Sequence, residues 1–477
     1  MRNLIITIAI VAIFLEISGL IWSTKGDRPS ETYIQLTQAP EKHVQTALQN
    51  GYFMMVGFAA SSIVDPVQTG YDIWMEADAD PNYRLFDYRK PGRNELRIMI
   101  DAGEAFPAWT ASDPLSAFRQ PDAMFRLSLD RYVILLDRYA RLLAMPVEDW
   151  GFGHIGNPRF EELFTIHRLY VAAGFVQQPS IGLARLQREL SAWRMILADA
   201  KTVSVKTMAL LIVDDDIRFV SKLLSSTNSG LQADHVLPWT APLTKEEYSL
   251  RWPIRNQFVL GTTRGRPSML DLTGGQEETI ATQEWLAKQA EITPDAFRHV
   301  QHPLLTTMLG SPFESQRMWE TYATYYDLTI QATESLHSPL PKLQDVARSS
   351  QRTLLDRVFH PLEFEPDWET FSHRLMETDA RLRLVSLQIL LRKPSAATTI
   401  PNRLAEVGSR YYDPFTGMPM LWSDTQRAIY SIGKDRLDDG GDPHFDLVIP
   451  AVLGPLKHPD VRSYSRRSTI PVAKRTI

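Results

Sequence analysis

The chain of 477 residues contains no cysteine. Disulfides, thiolate metal sites and a cysteine nucleophile are therefore excluded, and the redox state of the compartment leaves no mark. Several catalytic signatures are missing as well. No G-x-S-x-G elbow presents a serine nucleophile. No H-E-x-x-H pair sets two zinc ligands on a helix, and the glycines at 261, 265, 274 and 275 lack the spacing of a phosphate-cradling loop. No internal repeat of 34 or 40 residues supports a solenoid. Positive charge is not in excess either. Lysine and arginine number 51 against 56 acidic residues, a net charge of −5, which argues against general nucleic-acid binding.

What remains is the composition of a folded protein, 44% apolar and 22% charged, long enough for two or three domains. The first distinctive feature is the run 4–22, almost wholly apolar after Met1-Arg2-Asn3. At about 1.5 Å per residue it just spans a bilayer core of about 30 Å. A signal peptide is the rival reading, but its apolar region is normally about 7–15 residues, and no A-x-A site follows. The expectation is an uncleaved single-pass anchor in the inner membrane with the bulk of the chain periplasmic. Arg2 before the run and Lys25 and Arg28 after it nearly cancel as orientation signals. Glu16 lies deep in the run, where a carboxylate is costly and a helix partner is one explanation.

Residues 26–41 read as a polar linker, and helical periodicity follows, with a first helix or helix pair broken at Gly51. Residues 68–121, with Pro81, Pro91, Pro107, Pro114 and Pro121, read as irregular, with a short strand near 95–100. The spacing predicts helices over 127–145, 160–174 with Gly174 as the stop, 181–200, 203–224, 245–250, 277–290, 294–301, 316–335, 342–359 and 368–393. In the last of these, Phe371, Leu375, Leu382, Val385 and Ile389 form one apolar stripe. The fold class expected is mainly α, in four parts. Residues 1–26 are the anchor or signal peptide, 27–360 a large irregular α-helical domain, 361–455 a small α+β module, and 456–477 a basic tail.

The C-terminal module carries the strongest signal. Residues 413–422 read DPFTGMPMLW and residues 429–442 read IYSIGKDRLDDGGD. Asp413-Pro414 starts a turn, Gly417 can take positive φ, and 420–422 and 428–432 read as paired strands. Asp435, Asp438, Asp439, Asp442 and Asp446 then follow, with Gly440-Gly441 allowing tight curvature. Close aspartates repel one another unless a cation or hydrogen-bond donors compensate. A calcium ion, which takes about 6–8 oxygen ligands in a flexible cage, is one reading of the five aspartates; a solvated acidic turn is the other.

A helix followed by these two strings resembles the C-terminal half of type II secretion pseudopilins. Asp413, Pro414, Gly417 and Pro419 match the family's turn, with Phe415 in place of its tryptophan. Tyr430, Ser431, Gly433 and Asp435 match the start of its loop, and Arg436 stands where a glycine is usual. The region is also similar to the tails of membrane-anchored bacterial proteins ending in YSVGPDGKDDGG. The resemblance covers 368–450 and implies an α+β fold and a calcium ion held by the acidic loop. It does not imply filament assembly, because the whole helical domain separates the apolar run from this module.

Other constellations have plainer readings. His299 and His302 read as surface or capping residues, and Glu76, Asp78 and Asp80 as a solvated turn. Asp214, Asp215 and Asp216 are adjacent in a helix, so they point about 100° apart and cannot all face one ion. Trp319, Tyr322 and Tyr326 make a core stripe. The function expected is a membrane-anchored extracytoplasmic structural or interaction protein of the bacterial envelope, with an envelope protein as partner. The alternatives are a secretion-system accessory, or an envelope hydrolase in which Glu76 or Asp78 meets His154 or His167.

Overall fold

The computed structural model describes residues 29–79, 113–226, 233–263, 316–342, 367–393 and 399–451, with short breaks inside two of these stretches and a few isolated residues between them. The described chain is mainly helical, with a small three-stranded sheet at its C-terminal end. No helix among the described residues is long and apolar enough to cross a membrane. The run 4–22, His299, His302, Asp80, the helices expected at 277–290 and 294–301, and the basic tail lie outside the described residues.

The segment read as a linker contains a helix, α1 (Glu31–Thr37). Its polar sequence hides it. Ser30 caps it by accepting from the Tyr33 amide, and only Leu36 is buried. A 3-10 turn at Ala47–Gln49 leads into α2 (Gly51–Val56), which Asn50 caps. Gly51 therefore opens a helix instead of breaking one. A side chain there would meet Val147 at 2.7 Å.

The stretch read as irregular contains α3 (Pro66–Ala79) and α4 (Pro114–Arg119). Both start on a proline, whose missing N–H costs nothing in a first turn. Glu76 and Asp78 ride on α3 and do not form a turn. The helix expected over 127–145 is two, α5 (Ala123–Arg131) and α6 (Val133–Leu142), broken at Tyr132 with φ −105 and ψ 18.

Three long helices follow: α7 (Phe160–Gln177), α8 (Pro179–Asp199) and α9 (Val203–Ser225). Gly174 does not stop α7. It lets α7 approach α8, since a Cβ there would lie 2.8 Å from the Gly182 Cα. Short elements α10 (Ala233–Val236) and α11 (Lys245–Tyr248) precede α12 (Arg251–Thr263) and α13 (Gln316–Glu334). α1 packs on α12 and α13, with Tyr33 edge-on to Phe258 at 5.4 Å. Tyr326 of α13 is buried against Phe258, as a core stripe requires.

α14 (Trp368–Leu390) carries the apolar stripe inward, with Leu375, Leu382, Val385 and Ile389 buried and Phe371 partly so. α15 (Ile400–Glu406) then leads to β1 (Leu421–Ser423), β2 (Ala428–Ser431) and β3 (Leu447–Pro450), an antiparallel sheet in sequence order. α14 joins the sheet to the helical body. It packs on α9 on one side and on β2 and β3 on the other. Buried Asp379 accepts from the Leu243 amide, the Tyr248 hydroxyl and Arg383, each at 2.7 Å. Arg383 donates onward to the Tyr412 carbonyl at 2.7 Å, and Gln388 to the Pro450 carbonyl at 2.9 Å. Buried side chains from Leu36 to Ile449 form one continuous core.

Lys206 lies wholly inside this core, with its ammonium donating to the Leu197 carbonyl at 2.7 Å. Burial pulls its pKa down to about 7, against an ordinary 10.5, and Glu247 only partly offsets this. Between those values the unfolded chain binds the proton and the folded one does not, so stability rises with pH. Relative to Lys206→Met, the unaltered protein should gain up to about 1.4 kcal/mol per pH unit above pH 7. Parallel urea melts of the two proteins from pH 6 to 9 check this, and parallel trends would refute it.

Candidate functional site

The acidic loop is built from local turns. Asp413, buried, accepts from the Phe415 amide at 2.9 Å, while Ser431 and Ile432 also donate to its carboxylate, tying the DPFTG turn to the end of β2. Gly417, Gly433, Gly440 and Gly441 all take positive φ, as does Arg436 at 58°. Arginine thus occupies a backbone region that favours glycine.

Of the five aspartates, Asp435 accepts from the Leu437 amide at 3.2 Å and Asp442 from the His444 amide at 3.0 Å. Asp438 accepts from the Gly440 amide at 2.9 Å and the Tyr430 hydroxyl at 3.0 Å. Asp439 is exposed. Asp446 differs from the rest. It is buried, its carboxylate accepts from the Gly441 amide at 2.8 Å and from the Asp439 amide, and its Oδ1 lies outside hydrogen-bond geometry. Burial pushes its pKa up, and Asp439 and Asp438 add to the rise. The loop therefore gathers Asp438, Asp439 and Asp446 within electrostatic reach, while Asp435 and Asp442 mainly shape turns. No three of these side chains bring ligand atoms within 4.8 Å of one another; among the described residues the one such group lies elsewhere.

That group is His167, Glu189 and Asp216, on α7, α8 and α9, each fully buried. The His167 Nδ1 lies 3.5 Å from Glu189 Oε1 and 3.8 Å from Asp216 Oδ1. Its Nε2 lies 3.3 Å from Asp215 Oδ2. Asp215 is gripped by both arms of Arg168, at 2.8 and 2.6 Å. Glu189 accepts from the Tyr139 hydroxyl, which in turn accepts from the Trp193 indole at 2.7 Å. Neither oxygen of Asp216 and not the second oxygen of Glu189 makes a hydrogen bond, while the His167 nitrogens face Glu189 and Asp215 at 3.5 and 3.3 Å without good hydrogen-bond alignment.

The electrostatics follow from burial and crowding. Burial, then Glu189 and Asp215, push Asp216 well above the ordinary carboxylate range, and burial raises Glu189 too. Burial also opposes ionisation of Asp215, but Arg168 and His167 outweigh it and hold Asp215 well below that range. For His167 burial pulls down, but Asp215 and Glu189 win and hold it above its ordinary value. One imidazole and two carboxylates at this spacing can hold a metal ion or share protons.

The aspartate triplet diverges as its adjacency dictates. Asp214 faces α14, pairing with Arg381 at 2.5 Å and with Arg218 at 2.9 Å, Asp215 faces Arg168, and Asp216 faces inward. His167 therefore meets α8 and α9 carboxylates. His154 packs its ring on Trp74 at 4.1 Å. His167, Glu189 and the Asp215-Asp216 pair lie more than twenty residues apart along the chain and follow no motif. The available signal is a charged residue within an apolar helical run, as in FTIHRLYV and LLIVDDDIRFV. Compared with known proteins, the chain matches no family model, no curated protein and no solved structure.

Proposed function

We propose that the chain is a membrane-anchored, extracytoplasmic structural or interaction protein of the bacterial envelope, with a C-terminal pseudopilin-like module steadied by calcium. The observation that carries this reading is Asp446. A buried carboxylate with one oxygen outside hydrogen-bond geometry, facing two more aspartates across a glycine pair, is an arrangement that a hard cation relieves. Arg436 at φ 58 adds support, because it takes the backbone shape of the glycine it replaces in the pseudopilin pattern. The anchor is the run 4–22. A non-enzymatic role is favoured over a hydrolase because His167, Glu189 and Asp216 are sealed from solvent, where no substrate reaches them.

Calcium at about 100 times its dissociation constant adds about 2.7 kcal/mol of stability. Thermal melts of the full chain in calcium and in a calcium chelator should therefore separate. The Asp438→Asn and Asp439→Asn variants should close that gap while still melting cooperatively. Identical melts of the unaltered protein in both conditions would overturn the calcium part. Cell fractionation with protease added to spheroplasts tests the location: a protein in the membrane fraction and open to protease is expected, and recovery from the soluble cytosol refutes it.

A further inference from the structure

The cluster at the centre of α7, α8 and α9 has a charge problem that its neighbours do not solve. Glu189, Asp215 and Asp216 face one another around His167, and Arg168 is the guanidinium that grips the group. As metal ligands the carboxylates are ionised and the imidazole neutral, so three negative charges meet the one positive charge of Arg168 and leave two for a cation to balance; without a cation, protons take that place. Such a residue of charge is very costly unless it is paired, neutralised by protonation or balanced by a metal. Asp216 makes the deficit concrete. It is 0% exposed, has no hydrogen bond to either oxygen, and is aimed at the His167 Nδ1.

We propose that His167, Glu189 and Asp216 bind one structural divalent transition-metal ion of the zinc class, which locks the three long helices together. The ion's two charges match the deficit. Ligands on a tetrahedral zinc at about 2.0–2.2 Å stand about 3.3–3.5 Å apart. The edges from Nδ1 to Glu189 and Asp216 are 3.5 and 3.8 Å, close to that figure. An imidazole nitrogen with two carboxylates suits zinc, whereas calcium needs about 6–8 oxygens that this pocket does not offer. The second oxygen of Asp216, also unpartnered, is available to complete the shell.

The surroundings have the form that metal-bound histidines require. A ligating imidazole usually gives its other N–H to a carboxylate, which fixes the tautomer and ring orientation. Asp215 stands at that place, 3.3 Å from Nε2, and Arg168 holds it there with two hydrogen bonds. Asp215 is thus a positioning residue. Because the site is sealed, the ion enters as the chain folds, and its binding energy becomes folding energy.

The test uses the full chain, extracted in detergent, unfolded and stripped with a chelator in denaturant, then refolded in zinc chloride alone or without it. One equivalent of zinc should bind and raise the melting temperature. The same should hold for Asp438→Asn, which separates this site from the acidic loop. His167→Gln should lose the zinc, and Asp215→Asn should weaken it about 10- to 100-fold without abolishing it. Cobalt chloride during refolding reads the unaltered protein directly, through a visible tetrahedral band that competing zinc suppresses, so the test survives if His167→Gln does not fold. Refolding that requires zinc also supports the site, and refolding to an equally stable state without it overturns it. A stripped protein that melts at an unchanged temperature, binds no zinc and gives no cobalt band refutes the proposal. The cluster is then a network held together by shared protons.

Discussion

Gly70→Ala should be among the most damaging single substitutions in this chain, lowering stability by about 3 kcal/mol or more. Gly70 lies in the second turn of α3, where that helix crosses the end of α2. A Cβ at position 70 would lie 1.9 Å from the Phe53 carbonyl oxygen and 2.8 Å from the Gly57 nitrogen. Both are backbone atoms, so no side chain can swing away. Gly57 is the reciprocal contact, since a Cβ there would lie 2.0 Å from the Pro66 oxygen and 2.7 Å from the Gly70 nitrogen. The two backbones touch, and α2, buried along its whole length, cannot retreat without opening the core around Phe53. Alanine normally favours a helix over glycine by about 1 kcal/mol, so intrinsic propensity predicts the opposite sign. Gln68→Ala, two residues away and exposed, should change stability by less than about 0.5 kcal/mol. Urea melts of the three proteins decide between packing and propensity. A Gly70→Ala protein as stable as the original would mean that the helices do not approach this closely.

The same pair of helices shows how far the sequence can be read. Long helices were legible, because more than five turns of one-sided apolar spacing in α8, α9 and α14 admit no other reading. The hairpin of β1 and β2 was legible from its turn chemistry. α3 and α4 were not, because Pro66 and Pro114 punctuate a loop as readily as they open a helix, and only the tertiary context distinguishes the two. α1 is seven residues long with one buried side chain, so its stability comes from docking on α12 and α13 and leaves almost no local pattern. β3 ends in proline and is four residues long, which conceals it beside the acidic loop. Glycine misled in the other direction. Gly174 looks like a stop but serves a close helix crossing, and the close approach is invisible in one dimension.

The candidate sites divide along the same line. The acidic loop is contiguous, so its aspartates could be named in advance, though not which of them would be buried. The buried cluster draws single residues from three helices. The divergence of Asp214, Asp215 and Asp216 follows from helical geometry alone. Which of them would turn inward depends on α7 and α8 packing against α9, and on Arg381 of α14 and Arg168 of α7 claiming the other two.

The second large effect is expected at Arg138. This residue of α6 is 4% exposed, yet it is a guanidinium whose acceptors are all backbone carbonyls: Phe58 at 2.7 Å, Ala60 at 2.6 Å and Ser61 at 2.7 Å. Burial lowers its pKa, and Arg141 lowers it further, but an arginine stays protonated through the physiological range. The three carbonyls belong to the reversal between α2 and α3, whose own backbone bonds reach only the Ser61 carbonyl, from the Val64 amide at 3.4 Å. Arg138→Met keeps the apolar stem and leaves the buried Phe58 and Ala60 carbonyls without the guanidinium, at about 1–3 kcal/mol each where water cannot enter, and leaves Ser61 only the Val64 amide at 3.4 Å. A loss of at least about 3 kcal/mol is expected, with Arg138→Lys intermediate, because one ammonium cannot reproduce the planar fork. A methionine variant within about 1 kcal/mol of the original protein would show that water replaces the guanidinium. Arg138 and Gly70 also hold the same reversal, one by anchoring its carbonyls and the other by letting its flanking helices touch. Their effects should therefore not add. Once Gly70→Ala has forced the helices apart, the carbonyls of Phe58 to Ser61 leave the reach of Arg138, and the second substitution costs less than it does alone. A double-mutant cycle giving strict additivity would instead mean that the two ends of the reversal are held independently.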